Sequence, residues 1–215
     1  MSTTFSDAPP TQWTAADVQA RLGGIPLDRI RTYPAPGTAT DVDVLAADAR
    51  SDRICELVDG ILVEKPMGSY ESLLAARIAQ WMLNHLDVSK AGIVLGEAGM
   101  LKLLPGQVRI PDVCFISWER MPGRQLPQEP IYSLVPDLAV EILSPGNTDA
   151  EMQRKLHEYF AAGVRLVWYI APATRTARAF TAEDQWQEFG PGDSLSGGDV
   201  LPGFAMSLDK LFGEP

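Results

Sequence analysis

The sequence predicts a mixed α/β domain, and three observations carry that prediction. Two β-prone runs at 54–58 and 61–64 flank an Asp59-Gly60 pair, apolar residues recur at helical spacing over 69–86, and a strand–helix–strand unit spans 137–170. Asp-Gly suits a type I′ hairpin turn, because both central residues must take positive φ. A strand–helix–strand unit requires its two strands to run parallel, so the sheet is expected to be mixed.

The elements follow in order. Residues 1–12 are polar and Pro-bearing and read as a disordered tail, leaving 13–215 as a single expected domain. Thr14 caps a short helix that ends at Gly23-Gly24. Residues 25–50, with Pro26, Pro34, Pro36 and Gly37, read as an irregular connection. After the hairpin, Leu74, Ile78, Trp81 and Met82 mark the buried stripe of a helix. Strands are expected near 93–97, 99–104 and 108–116, then a loop over 117–136 and a buried strand at 137–143. Thr148-x-x-Glu151 has the spacing of a capping box, and Gly163 is a natural C-terminal stop for the helix it opens. Apolar 164–170 is the next strand. Short strands near 175–181 and 185–189 and a small helix after Ser207 complete the chain.

Composition narrows the function. Nothing resembles a signal peptide, and no run of about 18 uncharged apolar residues exists to span a membrane, so a cytoplasmic setting is expected. Cys55 and Cys114 are too few and too far apart for a zinc ribbon or a disulfide framework, and both sit in apolar runs as buried free thiols. Eighteen basic against 28 acidic residues give a net charge of −10. That average field repels phosphates and argues against tight, non-specific nucleic-acid binding by the whole surface. A local basic surface, or a cation held in a site, is compatible with it. Arg50, Arg53, Arg120 and Arg124 are the candidates for such a surface. There is no G-x-S-x-G elbow, no Walker loop and no dinucleotide fingerprint.

The informative anomaly is acid inside apolar strands. Glu141 interrupts a strand that is otherwise apolar on both faces, sharing its face with Ala139 and Leu143. Asp112 shares its face with Ile110 and Cys114, opposite Val113 and Phe115. Carboxylates are seldom fully buried unless they are paired or bind a metal. On the following helix, Lys155 borders the stripe of Met152, Leu156, Tyr159 and Phe160, within reach of Glu141. Two hard carboxylates suit Mg²⁺ or Mn²⁺, with positions left for water and a phosphate oxygen. A lysine beside them would orient the water or neutralise charge on the phosphate, so the set describes phosphodiester hydrolysis. Each residue also has an ordinary reading: a satisfied buried acid, a strand-entry Asp after Pro111, a lysine covering apolar surface. Glu56, on the first hairpin strand, is a fourth candidate, and Glu97 a weaker fifth.

The motifs Glu56-Leu-Val-Asp-Gly60, Leu62-Val-Glu-Lys65, Arg109-Ile-Pro-Asp-Val113, Val140-Glu-Ile-Leu-Ser-Pro145, Lys155-Leu-His-Glu-Tyr159 and Ala162-Gly-Val164, in that order, resemble one family. It is the Uma family of putative restriction endonucleases, a branch of the PD-(D/E)xK superfamily, and the match covers roughly 50–210. The resemblance implies a restriction-endonuclease-like fold, with a mixed central β-sheet flanked by helices and with extra hairpins. It implies a Mg²⁺- or Mn²⁺-dependent endonuclease acting on nucleic acid, with DNA the expected substrate and a homodimer the expected assembly. Asp112 and Glu141 match the metal-binding acids, and Glu56 matches an upstream glutamate. Lys155 matches a lysine shifted onto the helix, since Leu143 stands two residues after Glu141. Many relatives carry a histidine where Tyr70 stands here. His85 and His157 lie elsewhere, and His157 is expected on the surface. Two other readings remain open: a catalytically silent binding or regulatory protein that keeps the fold, and a metal hydrolase of small phosphorylated molecules.

Overall fold

The computed structural model describes residues 13–50, 54–66 and 68–213. The expected tail over 1–12 lies outside the described residues. Helix α1 (Ala15–Arg21) opens on Thr14, whose hydroxyl accepts from the Asp17 N–H while the Asp17 carboxylate accepts from the Thr14 N–H. The connection expected over 25–50 is in part a helix, α2 (Asp41–Arg50). Its start repeats the Thr14/Asp17 spacing: the Thr40 N–H and hydroxyl both donate to Asp43. The proline-rich stretch ahead of it ends at Gly37, so its breaking effect does not extend to this Ala-rich segment.

The hairpin forms as expected, with β1 (Cys55–Val58) paired to β2 (Ile61–Glu64). Asp59 and Gly60 take φ of 50° and 72°, the left-handed conformations of a type I′ turn. Helix α3 (Ser69–Ser89) buries Leu74, Ile78, Met82 and Leu86 along one face. Each such side chain contributes about 1.5–3 kcal/mol by leaving water. Strands β3 (Gly92–Leu95), β4 (Leu101–Leu104), β5 (Gln107–Arg109) and β6 (Val113–Ser117) follow.

Here the structure corrects the sequence reading. The single strand expected over 108–116 is two strands that belong to different sheets. Proline has no N–H for a ladder and locks its φ, so the chain crosses from one sheet to the other at Ile110-Pro111-Asp112. One antiparallel sheet has the order β2-β1-β5-β4. The other contains β7 (Leu138–Ile142), β8 (Leu166–Ala171), β9 (Thr176–Ala182) and β10 (Gln185–Phe189), in the order β10-β9-β8-β7-β6-β3. Within it β7 and β8 are parallel and the other pairs antiparallel, as the strand–helix–strand unit requires.

That unit's helix, α4 (Asp149–Ala162), ends at Gly163, which takes φ of 95°. Thr148 caps its start, but Glu151 does not close the expected capping box; its carboxylate turns to Arg29 instead. Helix α4 packs Met152, Leu156 and Tyr159 on the sheet face that carries Cys114, Ala139 and Val167. Helices α3 and α5 (Leu208–Phe212) cover the opposite face, against Phe115, Val140 and Trp168. A two-stranded ribbon of β11 (Ser194–Ser196) and β12 (Ala205–Ser207) escaped the sequence reading, because three-residue strands show no readable alternation. Both cysteines are buried, and neither forms a disulfide. No described helix is long and apolar enough to cross a membrane.

Candidate active site

The strand pairing brings the two acids together. The antiparallel register of β6 and β7 ends at Val113 opposite Val140. One residue earlier the Asp112 N–H donates to Val140 O at 3.0 Å and its carboxylate accepts from the Ile142 N–H, so Asp112 brackets the position of Glu141. The side chain of Asp112 is fixed at both oxygens. Oδ2 accepts from the Ile142 N–H at 2.6 Å, and Oδ1 meets Lys65 Nζ at 2.7 Å. Glu141 points toward α4, where Lys155 Nζ lies 3.0 Å from its Oε2 and the Tyr159 hydroxyl donates to its Oε1.

Lys155 sits deeper than its helical position suggested. It is 2% exposed and lies between two carboxylates, 3.0 Å from Glu141 and 3.2 Å from Glu56. Glu56 is not on an edge: β1 is flanked by β2 and β5, and the residue is 1% exposed. It also accepts from Arg109 at 2.8 Å and from the Ile110 N–H at 3.1 Å. Arg109 continues the chain of charges to Glu158 on α4, with Nε donating at 2.7 Å. Ions this buried persist only when paired and hydrogen-bonded.

The two buried glutamates titrate in opposite directions. Burial pushes Glu56 up, but Lys155, Arg109 and Lys65 outweigh it and hold the carboxyl at about 2. Glu141 lies above its ordinary value: burial dominates, and the Asp112 and Glu56 charges add to it against the pull of Lys155. The Tyr159 hydroxyl is pushed well up by burial and by Glu141, so it serves as a donor.

Above the acids the surface opens. Lys65, Ser72, Glu97, Asp112 and Ile142 line a shallow cleft. Ser72, Glu97 and Asp112 also border a larger cleft of about 650 Å³, whose walls include Ala75, Leu95, Met100 and Tyr132. Glu141, Glu56 and Lys155 line neither cleft. Among the described residues, no three His, Cys, Asp or Glu side chains converge closely enough to hold a metal by themselves. The site still fits a Mg²⁺-type ion, which is commonly held by one or two carboxylates plus water and phosphate oxygens. The observation that favours it is the acidic lining of the shallow cleft, where the Asp112 carboxylate stands with Glu71 and Glu97.

A family model described as "Putative restriction endonuclease", Uma2, matches residues 41–209. The chain belongs to the Uma2 family. Its fold is restriction-endonuclease-like. The crystal structure of a putative nuclease belonging to DUF820, from Anabaena variabilis, superposes with a TM-score of 0.66 at 18% sequence identity, covering 75% of this chain and 91% of that one. No curated relative matches the chain.

Within this Uma2 chain, the structure gathers Asp112, Glu141, Lys155 and Glu56 into one cluster. Glu97 lies at the cleft, and Tyr70, exposed on the first turn of α3, lines neither cleft, although the next two residues, Glu71 and Ser72, do. His157 is on the surface, paired with Glu183. The arginines proposed as a basic surface do not gather here. Arg120 bonds Asp137 and Gly163 O, beside the N-terminal end of β7, about 13 Å along the strand from Glu141. Arg124 is exposed, while Arg53 and the side chain of Arg50 lie outside the described residues. Sequence reasoning missed Lys65 and Arg109. Both stand inside the quoted motifs, but only the fold shows that β2 and β5 deliver them to the acids.

Proposed function

We propose that this protein is a Mg²⁺- or Mn²⁺-dependent endonuclease that hydrolyses phosphodiester bonds, with DNA as its substrate. The observation that carries the reading is Asp112 at the cleft with the buried Glu141 behind it, close enough for the two charges to repel. A bound divalent ion would supply a water of lowered pKa and a positive charge for the phosphate oxygens. Asp112 and Glu141 are the ligands in this reading. The Ile142 N–H holds one Asp112 oxygen and leaves further lone pairs toward the cleft. Lys155 keeps Glu141 aimed and charged, and Glu56 is the counter-ion that keeps Lys155 in place. Action on both strands of a duplex would require a homodimer, one site per strand.

The test is incubation of purified protein with plasmid, single-stranded DNA and RNA in Mg²⁺, Mn²⁺ or EDTA, beside Asp112→Ala and Glu141→Ala. Metal-dependent cleavage of plasmid that disappears in both variants is the expected result. Folded protein that cuts nothing under any condition would transfer the case to the silent, binding or regulatory reading. One observation favours that second reading: the lysines and arginines of the cluster, Lys65, Arg109 and Lys155, are all paired with acids of the protein itself.

A further inference from the structure

We propose that Lys65 is the cation that meets the reacting phosphate, the role that the helix position first suggested for Lys155. The inference rests on the nuclease reading and adds a residue to it. Lys65 immediately follows β2, where the hairpin delivers its side chain to Asp112. Its ammonium is held by Asp112 Oδ1 at 2.7 Å and by Ile110 O at 2.7 Å, both at the point where the chain changes sheets. An ammonium has three N–H donors, so two such bonds leave one for a third partner. Among the described residues, Lys65 is the one cation lining the shallow cleft, whose other polar side chains are Asp112, Glu71, Glu97 and Ser72.

Both side chains are nearly buried, 4% exposed for Lys65 and 2% for Lys155, but only Lys65 borders the cleft. Lys155 lies beneath Glu141 and Glu56, enclosed by two carboxylates, and lines neither cleft. A phosphate approaching Asp112 through the cleft meets Lys65 first, while Lys155 reaches it only if both glutamates move. Lys155 is therefore the positioning residue and Lys65 the residue that touches substrate.

The geometry carries a second consequence, which needs no turnover to observe. Lys65 sits on the same carboxylate that would ligate a divalent ion, so the ammonium and the ion repel each other. Removing the Lys65 charge should strengthen metal binding while weakening catalysis. For Lys155 the signs are different: its loss removes the contact that holds Glu141 Oε2 at 3.0 Å, the carboxylate is free to turn, and metal binding weakens.

The experiment compares Lys65→Met, Lys65→Arg and Lys155→Met with the unaltered protein by Mn²⁺ titration calorimetry and by single-turnover cleavage of a labelled DNA duplex. Lys65→Met is expected to bind Mn²⁺ about threefold or more tightly, from the loss of a neighbouring like charge. It is expected to cleave about a hundredfold more slowly, the usual scale for removing a transition-state charge partner. Lys65→Arg, which keeps the charge, should recover much of the rate, and its circular dichroism serves as a second check on folding. Cleavage by Lys65→Met within about threefold of the unaltered protein would overturn the assignment. So would Mn²⁺ affinity that is unchanged or lower in a folded variant. If the unaltered protein cuts nothing, tighter Mn²⁺ binding by Lys65→Met still supports Lys65 as the cleft-facing cation, and only the nuclease reading falls.

Discussion

Lys155 Nζ stands 3.0 Å from Glu141 on β7 and 3.2 Å from Glu56 on β1, so a single ammonium on α4 ties together strands of two different sheets. The three residues are each less than 5% exposed. The desolvation of three ions offsets much of their attraction, and the net worth of such a cluster against an apolar one is small. Breaking it is a different matter. Lys155→Met leaves two buried carboxylates facing one another without their shared partner, which should cost about 3–5 kcal/mol. Urea unfolding at neutral pH measures the loss. The triple change Lys155→Met, Glu56→Gln, Glu141→Gln should recover a large part of it, because no unpaired charge then remains from the trio. Equal instability of the single and triple variants would show that packing, not charge, is what Lys155 supplies.

The pH dependence follows from Glu56. Its folded value is depressed to about 2, below the ordinary glutamate range near 4.3. A depressed carboxyl stabilises the fold above its unfolded value, and that contribution is lost as pH falls toward the folded value. The loss should therefore develop between about pH 5 and pH 2. Glu56→Gln should be less stable than the unaltered protein at pH 7, with a gap that narrows through that window. Thermal melts of both proteins at several acid pH values measure it. A gap that stays constant with pH would mean that Glu56 contributes through hydrogen-bond geometry alone.

Much of the fold was legible because its signals are local. Asp59-Gly60 specifies its own turn, Thr14 and Thr148 specify their own helix starts, and 137–170 specifies a parallel pair. The site was legible in part for the same reason: Glu141 and Asp112 stand out as acids among apolar neighbours. What could not be read was which distant strand faces them. Glu56 is 85 residues from Glu141, and only the pairing of β1 with β5, followed by the crossing at Pro111, brings it near. Lys65 escaped for a related reason. A lysine beside a proline at a strand end reads as a solvated turn residue until Asp112 is placed beside it. The division of 108–116 between two sheets is signalled by Pro111 alone, whose missing N–H ends one ladder before Val113 begins the next.

Asp112→Asn separates the metal reading from a purely structural one. The amide oxygen can still accept the Ile142 N–H, so the contact between β6 and β7 persists. The negative charge that faces Lys65 and would hold a cation is lost. Mn²⁺ affinity should fall by about tenfold or more, a scale typical of altered metal sites. Because the side chain is partly exposed, stability should change less than in Lys155→Met. Calorimetric titration and a thermal melt on the same sample read both quantities. Unchanged Mn²⁺ binding would remove Asp112 from the ligand set.

Arg29 predicts how the N-terminal segment supports the site without touching it. Its guanidinium makes a two-pronged pair with Glu151 on α4 at 2.6 and 3.0 Å, and also donates to Glu64 O and Gly146 O. Both side chains are nearly buried, so the pair is sheltered from solvent screening. Glu64 O lies directly before Lys65, and Gly146 O lies in the turn between β7 and α4. One arginine thus ties the strand end that carries Lys65 to the turn that follows β7. Arg29→Met should cost about 3–5 kcal/mol through the charge stranded on Glu151. Added substitution of Glu151→Leu should restore part of that stability, but not the hydrogen bonds that hold Glu64 and Gly146. The double variant should therefore regain its melting temperature faster than its Mn²⁺ affinity. Parallel recovery of both would mean that the segment around Arg29 stabilises the fold without tuning the site.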